Sequence, residues 1–419
     1  MSFRSRPALY VTVVLARRRA WVVVAVASLT MTVSYVDRTT LAVLAPKVTA
    51  ALGIDEAQYG WIAAAFSISY LIATPLSGWW IDRTGARRGL TSSVLVWSAI
   101  AALHALVPGF ATLFCLRIAL GLAEGPGWPG EVQTVQRLLP TPEHARGYGL
   151  AFATSSIGAM VAPVIAAWLY SAYGWRIAFL GTAVIGLAWL PAWLAVTRGE
   201  SVRERLGGPR PHEAAHRMSF RALVANAQML RALIGAFAAS PLIAFIQSWG
   251  AKYLVAVFQI TQAEVGHYLW LPPLCFDLGA VAFGDFAARM SRNTTLPPLR
   301  LLYVIATALA TAIASLALVH SAWGAMAIVS SALAGAGALR SLGTADLLVR
   351  IPAGSVAFAG GILAGAQSLA YIIVNPLIGY ALDHGHHYPE IAFWVGAWVV
   401  PGSIVWIVWR PAERLEPQV

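Results

Sequence analysis

Stretches of roughly twenty apolar residues, each long enough to cross the hydrocarbon core of a bilayer as a helix, recur along the whole chain. In hydrocarbon every backbone N–H and C=O must be satisfied within the protein, which leaves helices or closed barrels. Runs of this length without period-two alternation select helices. Twelve spans are expected, at 21–46, 58–81, 90–108, 110–131, 146–171 and 175–196, then at 229–256, 264–288, 299–319, 322–348, 355–382 and 389–409. The longest polar stretch, 197–228, separates the two sets and carries Arg198, Arg203, Arg205, Arg210, Arg217 and Arg221. The expected fold is therefore an all-α polytopic membrane protein of two six-helix bundles, 1–196 and 229–419, joined by the linker 197–228. Such a pairing puts a binding site between the halves near the bilayer midplane.

Only 11% of the 419 residues are charged, against about 25% in an ordinary soluble domain. The net charge of +11 could suit nucleic acid, so the placement of the charge decides. Basic residues fall at 17–19, 83–88, 137–146, in the linker, and at 289–300, 350 and 410–414. The intervening loops hold little beyond Lys47, Arg176 and Lys252, among Asp55, Glu56, Glu264, Asp383 and Glu390. This is the positive-inside bias. It places both termini in the cytoplasm and argues against nucleic acid as a partner. The lack of an organellar signal, together with compact loops, points to a bacterial inner membrane. Cys115 and Cys275 lie in apolar runs, where small buried hydrophobes are expected and no disulfide framework is implied.

Charges inside the spans carry the chemistry. Asp37 and Arg38 interrupt the run from Ala20 to Pro46, and Arg117 and Glu124 lie within the fourth. Each costs about 2.5–3.5 kcal/mol at that depth on insertion scales, and such groups face polar cavities. Residues seven apart share a helix face, and Glu124 lies about 10 Å deeper than Arg117 at 1.5 Å per residue. The spacing lets two carboxylates and two guanidiniums meet in one chamber. Arginine's rigid fork suits a carboxylate ligand.

The loop after span two reads Gly78-Trp-Trp-Ile-Asp82-Arg83-Thr-Gly85-Ala-Arg87-Arg88. It resembles the G-x-x-x-D-R-x-G-x-R-R signature of the major facilitator superfamily, and Gly284-Asp285 with Arg289 and Arg292 is a shortened echo. The resemblance implies a cytoplasmic gating latch of Asp82, Arg83 and Arg87, with Glu143 and Arg146 as partners. More narrowly, Tyr35-Val-Asp37-Arg38 running to Pro46, Arg117 through Glu124 to Pro129, and Gly174-Trp175-Arg176 are similar to the anion:cation symporter family. Ala263-Glu264-Val-Gly266, Asp277-Leu-Gly279 and Gly354-Ser355-Val356 are similar to its sugar-acid, hexuronate-like branch. Glu131 and Arg340 depart from the pattern.

The function expected from residues and resemblance together is proton-coupled symport of an organic anion such as a hexuronate or aldonate. Arg38 would clamp the carboxylate, as the family implies. Asp37 and Glu124 would carry protons, and Arg117 would hold Glu124 or help bind the anion. Tyr35, Tyr70, Gln247 and Asn375 would meet sugar hydroxyls, with Trp249 beside them or closing an outer gate. Asp277 and Arg340 either pair structurally or reach the substrate's far end. The expected partners are a small organic anion, protons and lipid, and the chain is expected to be a monomer without cofactor or metal. His384-Gly-His386-His387 reads as a solvated turn, and Asn293-Thr-Thr295 as a chance sequon. The competing readings are a monocarboxylate carrier, a proton-antiporting exporter, and a solute sensor that transports nothing. A P-loop and an intramembrane catalytic constellation are both missing from the sequence, which leaves ATP-driven pumping and enzymatic activity without support.

Overall fold

The computed structural model describes residues 6–208, 220–291, 299–350 and 356–409, and among them no β-strand occurs. The arginines at 210, 217, 292 and 410–414, the Asn293 sequon and Gly354-Ser355 lie outside the described residues. The first half contains α1 (Arg6–Leu52), α2 (Glu56–Thr84), α3 (Ala86–Leu103), α4 (Phe110–Glu124), α5 (Gly127–Leu138) and α6 (His144–Val196). The short helices α7 (Glu200–Leu206) and α8 (Phe220–Val224) follow. The second half contains α9 (Ala227–Ala244), α10 (Gly250–Phe258), α11 (Val265–Leu269), α12 (Leu271–Ser291), α13 (Leu299–Thr311), α14 (Ala322–Arg350), α15 (Val356–Asp383) and α16 (Tyr388–Val408).

Among the described residues, 11 helical segments are long and apolar enough to cross a membrane. One of them contains α6, whose 53 residues would extend about 80 Å if straight. Its backbone turns at Gly174, with φ 80° and ψ 171°, a conformation that a β-carbon resists. The segment is thus two crossings, and the total is the expected twelve.

Three breaks fall inside spans. The fourth divides at Gly125-Pro126 into α4 and α5, and the eighth divides at Trp270. Both were signalled by Gly and Pro. The seventh contains a π-helical turn, Phe245–Trp249, between α9 and α10; such turns mark functional sites, and only Pro241 one turn upstream hinted at it.

Small residues set the closest approaches. Gly121 and Gly125 of α4 lie against Phe66, Ser69 and Ala73 of α2, where any side chain would collide. The similarly spaced Gly361 and Gly365 of α15 differ, since Gly361 faces open space and Gly365 meets only the tip of Leu71. Cys115 is exposed on the helix surface; the fourth span turns it outward, contrary to the buried position expected.

Buried apolar residues fall into distinct clusters, and their distribution defines how the halves meet. One cluster lies wholly in the first half, from Val24 and Leu90 to Trp97 and Trp193. A small one, with Met229 and Leu347, belongs to the second half. The largest joins both halves, uniting Leu41, Leu44, Tyr59 and Ile62 with Phe245, Trp249 and Leu254. Those residues lie toward the end remote from the arginine-rich loops. The halves touch through α2 against α15, and through α6 against α11 and α12. At the joined end, Gly60 lies on the carbonyl of Asn375 and Gly379 on that of Glu56.

Replacing Gly379 by valine should wedge that end apart, since overpacking of about 1–3 kcal/mol shifts a two-state equilibrium several-fold. A cysteine placed at Ser248 should then react faster with a water-soluble maleimide. An unchanged rate would show that closure does not need the contact.

Candidate functional site

Arg38 is the centre of the intramembrane polar groups. Ser34 and Arg38 lie one helical turn apart on α1, so they share a face. Arg38 donates from Nε and Nη2 to Glu124 Oε2 at 3.2 and 2.7 Å, and from Nη2 to Ser34 Oγ at 2.7 Å. Ser34 Oγ in turn donates to the same Glu124 oxygen at 2.6 Å. Glu124 is wholly buried, whereas the Arg38 side chain keeps 22% of its surface accessible. The rings of Tyr35, Phe66 and Tyr70 stand 4.9, 4.8 and 5.0 Å from the guanidinium carbon. Carboxylate, hydroxyl and three aromatic rings thus replace most of the water that this cation gives up.

Two further charges of the quartet sit beside this pair. Arg117 is buried and stacks on the other side of the site at 5.0 Å from Phe66, so one ring serves two guanidiniums. Its Nε and Nη1 have no hydrogen-bond partner. Glu124 is therefore held by Arg38 and not by Arg117, which differs from the pairing expected within the fourth span. Phe66 lies against both cations, and Arg38 reaches the carboxylate from α1. Asp37 is buried with both carboxylate oxygens unpartnered, within electrostatic reach of Glu124 and Arg38.

The second half supplies a polar chain across from them. Arg340 donates to Gln367 Oε1 at 2.8 Å, Gln367 to the Tyr371 hydroxyl at 3.1 Å, and that hydroxyl to Gln247 Oε1 at 2.9 Å. Tyr371 also lies within electrostatic reach of Tyr35 and Arg38. Gln247 is exposed, on the π-helical turn. Asp277 lies near Ser156 of the first half and within electrostatic reach of Arg340, without closing an ion pair. Gln367 and Tyr371 were missed in the sequence, although with Asn375 they form a polar stripe at four-residue spacing in an apolar run.

Trp249 and Asn375 lie elsewhere than the exposed groups. Both are fully buried, and Trp249 Nε1 donates to Asn375 Oδ1 at 3.0 Å. Asn375 Nδ2 donates to the Tyr371 carbonyl at 3.0 Å, and Tyr59 packs edge-on against Trp249 at 4.9 Å. In this conformation their polar atoms serve each other inside the joined end and offer a ligand nothing. The seal continues with Tyr59 donating to the Ser248 carbonyl at 2.6 Å and Lys252 paired with Glu56 at 2.5 Å. Asp383 accepts from the backbone N–H groups of Glu56 and Ala57 at 3.2 and 2.7 Å, so the second half caps α2 of the first.

The latch residues at the arginine-rich end make no contact between the halves among the described residues. Asp82 accepts from Gln133 Nε2 at 3.1 Å. Gln133 also accepts from the Ala86 N–H at 2.7 Å, which gives the Glu131-Val-Gln133 stretch a local purpose. Arg83 is exposed and stacks at 3.5 Å over Trp79. Arg87 donates to Thr197 Oγ1 at 3.2 Å. Glu143 pairs with Arg17 and accepts from Trp21 Nε1 at 2.8 Å, while Arg146 is exposed. Glu143 and Arg146 are therefore not partners of Asp82 here. Glu131 is buried and accepts from Ser28 Oγ. Asp346, overlooked in the sequence, accepts from Arg231 at 2.6 Å and Arg350 at 3.0 Å. His386 bonds Glu390 at 2.8 Å in an exposed turn.

Two bundles of six membrane-crossing helices, sealed at one end and holding paired charges at mid-depth, define a transporter of the major-facilitator type. The Major Facilitator Superfamily profile matches residues 27–373, and the chain belongs to that family of multi-pass membrane transporters, which are not enzymes. It is 27% identical over 276 residues to the Galacturonate transporter of Dickeya chrysanthemi, a match covering 63% of this chain and 80% of the relative. The Hexuronate transporter of Escherichia coli (strain K12) is 26% identical over 276 residues, 63% of this chain and 64% of the relative. The Probable galactarate/D-glucarate transporter GudP of Bacillus subtilis (strain 168) is 26% identical over 408 residues, 90% of this chain and 89% of the relative. The structure resembles that of a bacterial homolog to the human lysosomal transporter Spinster, with a TM-score of 0.73 at 17% identity, covering 93% of this chain and 95% of that one.

Lysine cannot reproduce the Arg38 fork, because a single ammonium does not present two parallel donors to Glu124 together with one to Ser34. Arg38→Lys should therefore weaken binding of a carboxylate ligand about tenfold or more in calorimetry. Affinity within a factor of two would show that point charge alone suffices.

Proposed function

We propose that the chain is a secondary active transporter that imports a sugar acid, such as a hexuronate or aldonate, together with protons by alternating access. The observation that carries this reading is Arg38, caged by three rings, bonded to Glu124, and still partly accessible between the halves. Partly accessible Arg38 and buried Arg117 suit an anion and oppose export of lipophilic compounds.

The coupling follows from competition for one guanidinium. While Glu124 is ionised it occupies the Nε and Nη2 donors of Arg38. A proton on Glu124 removes that claim and leaves the fork to the substrate carboxylate. Asp37 is the second candidate carrier, because its carboxylate has no donor that would be lost on protonation. Arg117, next to Phe66 and without a bonded carboxylate, adds positive potential that favours the incoming anion. Tyr35, Tyr70 and Gln247 offer hydroxyl and amide groups to the sugar. Trp249 and Asn375 would join them only after the joined end opens.

The moving bodies are the halves 1–196 and 229–419, with 197–228 as their tether. In the orientation given by the basic loops, the joined end faces outward and the unlatched arginine-rich end faces the cytoplasm of a bacterial cell. This is the arrangement of a carrier that has released its substrate inward, with Arg38 returned to Glu124. The tether is anchored under the first half, where Arg137 donates to the carbonyls of Arg205 and Gly208 at 3.2 and 3.0 Å.

In proteoliposomes, Asp37→Asn and Glu124→Gln should each abolish accumulation of labelled hexuronate driven by a pH gradient, while counterflow without a gradient persists in at least one of them. Full gradient-driven accumulation by both variants would remove the coupling assignment. Failure of the parent chain to exchange any sugar acid would remove the transport reading.

A further inference from the structure

Arg340 is the intramembrane cation that the coupling scheme leaves unused. It lies on α14, ten residues before Arg350, or about 15 Å inside the helix end. A guanidinium there is costly unless it faces water or an opposite charge. Apart from Arg117, whose Nε and Nη1 are unpartnered, the intramembrane arginines described above are compensated in ways that Arg340 is not. Arg38 has Glu124, Arg231 has Asp346, and Arg176 donates to the Ala105 carbonyl at 2.6 Å. Among the described residues Arg340 bonds only the neutral amide oxygen of Gln367.

Its position excludes a lipid-facing role. Gln367, Tyr371 and Gln247 continue from it as a hydrogen-bonded chain, and the Tyr371 hydroxyl senses both Arg340 and Arg38. The two guanidiniums therefore lie within electrostatic reach of one tyrosine, from opposite halves. Asp277, also on the second half, lies within electrostatic reach of Arg340 and closes no ion pair with it. One of the five N–H donors of Arg340 is in use, and the acceptor carries no charge.

We infer that Arg340 heads a second anion subsite opposite Arg38, so that the cavity prefers a sugar acid with a carboxylate at each end over one with a single carboxylate. This inference rests on the sugar-acid reading above and narrows it. A six-carbon diacid would place one terminus on Arg38 and the other on Arg340, with its hydroxyls along Tyr371, Gln367 and Gln247. A monoacid would leave one guanidinium facing a hydroxyl or aldehyde, which satisfies its hydrogen bonding but not its charge. Because the two cations belong to different halves, a diacid also ties the halves together when bound.

The test compares galactarate, its monoamide and galacturonate on the full-length chain. In detergent, galactarate should raise the thermal midpoint more than the monoamide, which keeps the carbon chain and removes one charge. In proteoliposomes, Arg340→Gln should raise the KM for galactarate relative to that for galacturonate by about tenfold, the loss expected for one charge-assisted carboxylate contact. Arg340→Lys should recover part of that ratio. Equal stabilisation by diacid and monoamide overturns the inference, and this holds even if Arg340→Gln fails to fold. An Arg340→Gln variant that weakens both acids alike also overturns it and marks the residue as structural. Transport of galacturonate without galactarate by the parent chain rejects the second subsite alone. Transport of neither rejects the sugar-acid reading and this inference together.

Discussion

A guanidinium taken out of water must be surrounded by groups that replace its hydration, and much of this molecule is arranged around that demand at Arg38. Glu124 supplies the charge, Ser34 shares the fork, and Tyr35, Phe66 and Tyr70 cover the faces. To bring Glu124 to this depth, α4 has to lie hard against α2, and the glycines at 121 and 125 allow it. The break at Gly125-Pro126 then ends α4 at the carboxylate itself. Packing of the first half and chemistry of the site are thus one constraint. A buried ion pair contributes little net stability, so the pair is better understood as an exchangeable contact than as a brace.

The two ends of the bundle are held by different physics. The joined end combines a shared apolar core with neutral hydrogen bonds and one partly buried ion pair, Lys252 with Glu56. The arginine-rich end keeps separate cores for each half, and its charged residues are satisfied within their own half. Moving from one state to the other would require the first set of contacts to release while the charged groups find partners across the gap. The joined end rests mainly on apolar and neutral contacts and the arginine-rich end on charged ones, so salt screens the second more than the first.

Much of the fold was legible because membrane spans are written in composition and length. Twelve crossings follow from apolar runs, and the turn at Gly174 follows from a glycine between two of them. The four charges of the first half could be found because hydrocarbon penalises each one separately. Their pairing could not. Arg38, Glu124 and Arg117 lie on two helices whose relative rotation depends on where the small residues fall, and Phe66 lies against both cations. Asn375 was expected to meet sugar hydroxyls, but its partner here is Trp249 on another span, and the pair is sealed in. Gln367 and Tyr371 escaped notice because uncharged polar residues are common in helices and carry no comparable penalty. Asp82 was recognisable from its motif, yet its neighbour Gln133 comes from a different helix.

The cap that Asp383 places on α2 has a consequence for energetics at the sealed end. A helix N-terminus carries roughly half a positive charge, and here Asp383 from a separate body adds to the helix's own Asp55 cap through an exposed contact. Separation leaves both groups in water and orphans neither, so the rupture costs little beyond screened attraction. Dissolved ions weaken such an attraction within about a nanometre. The medium bathing that face consequently tunes how firmly the two bodies hold together there.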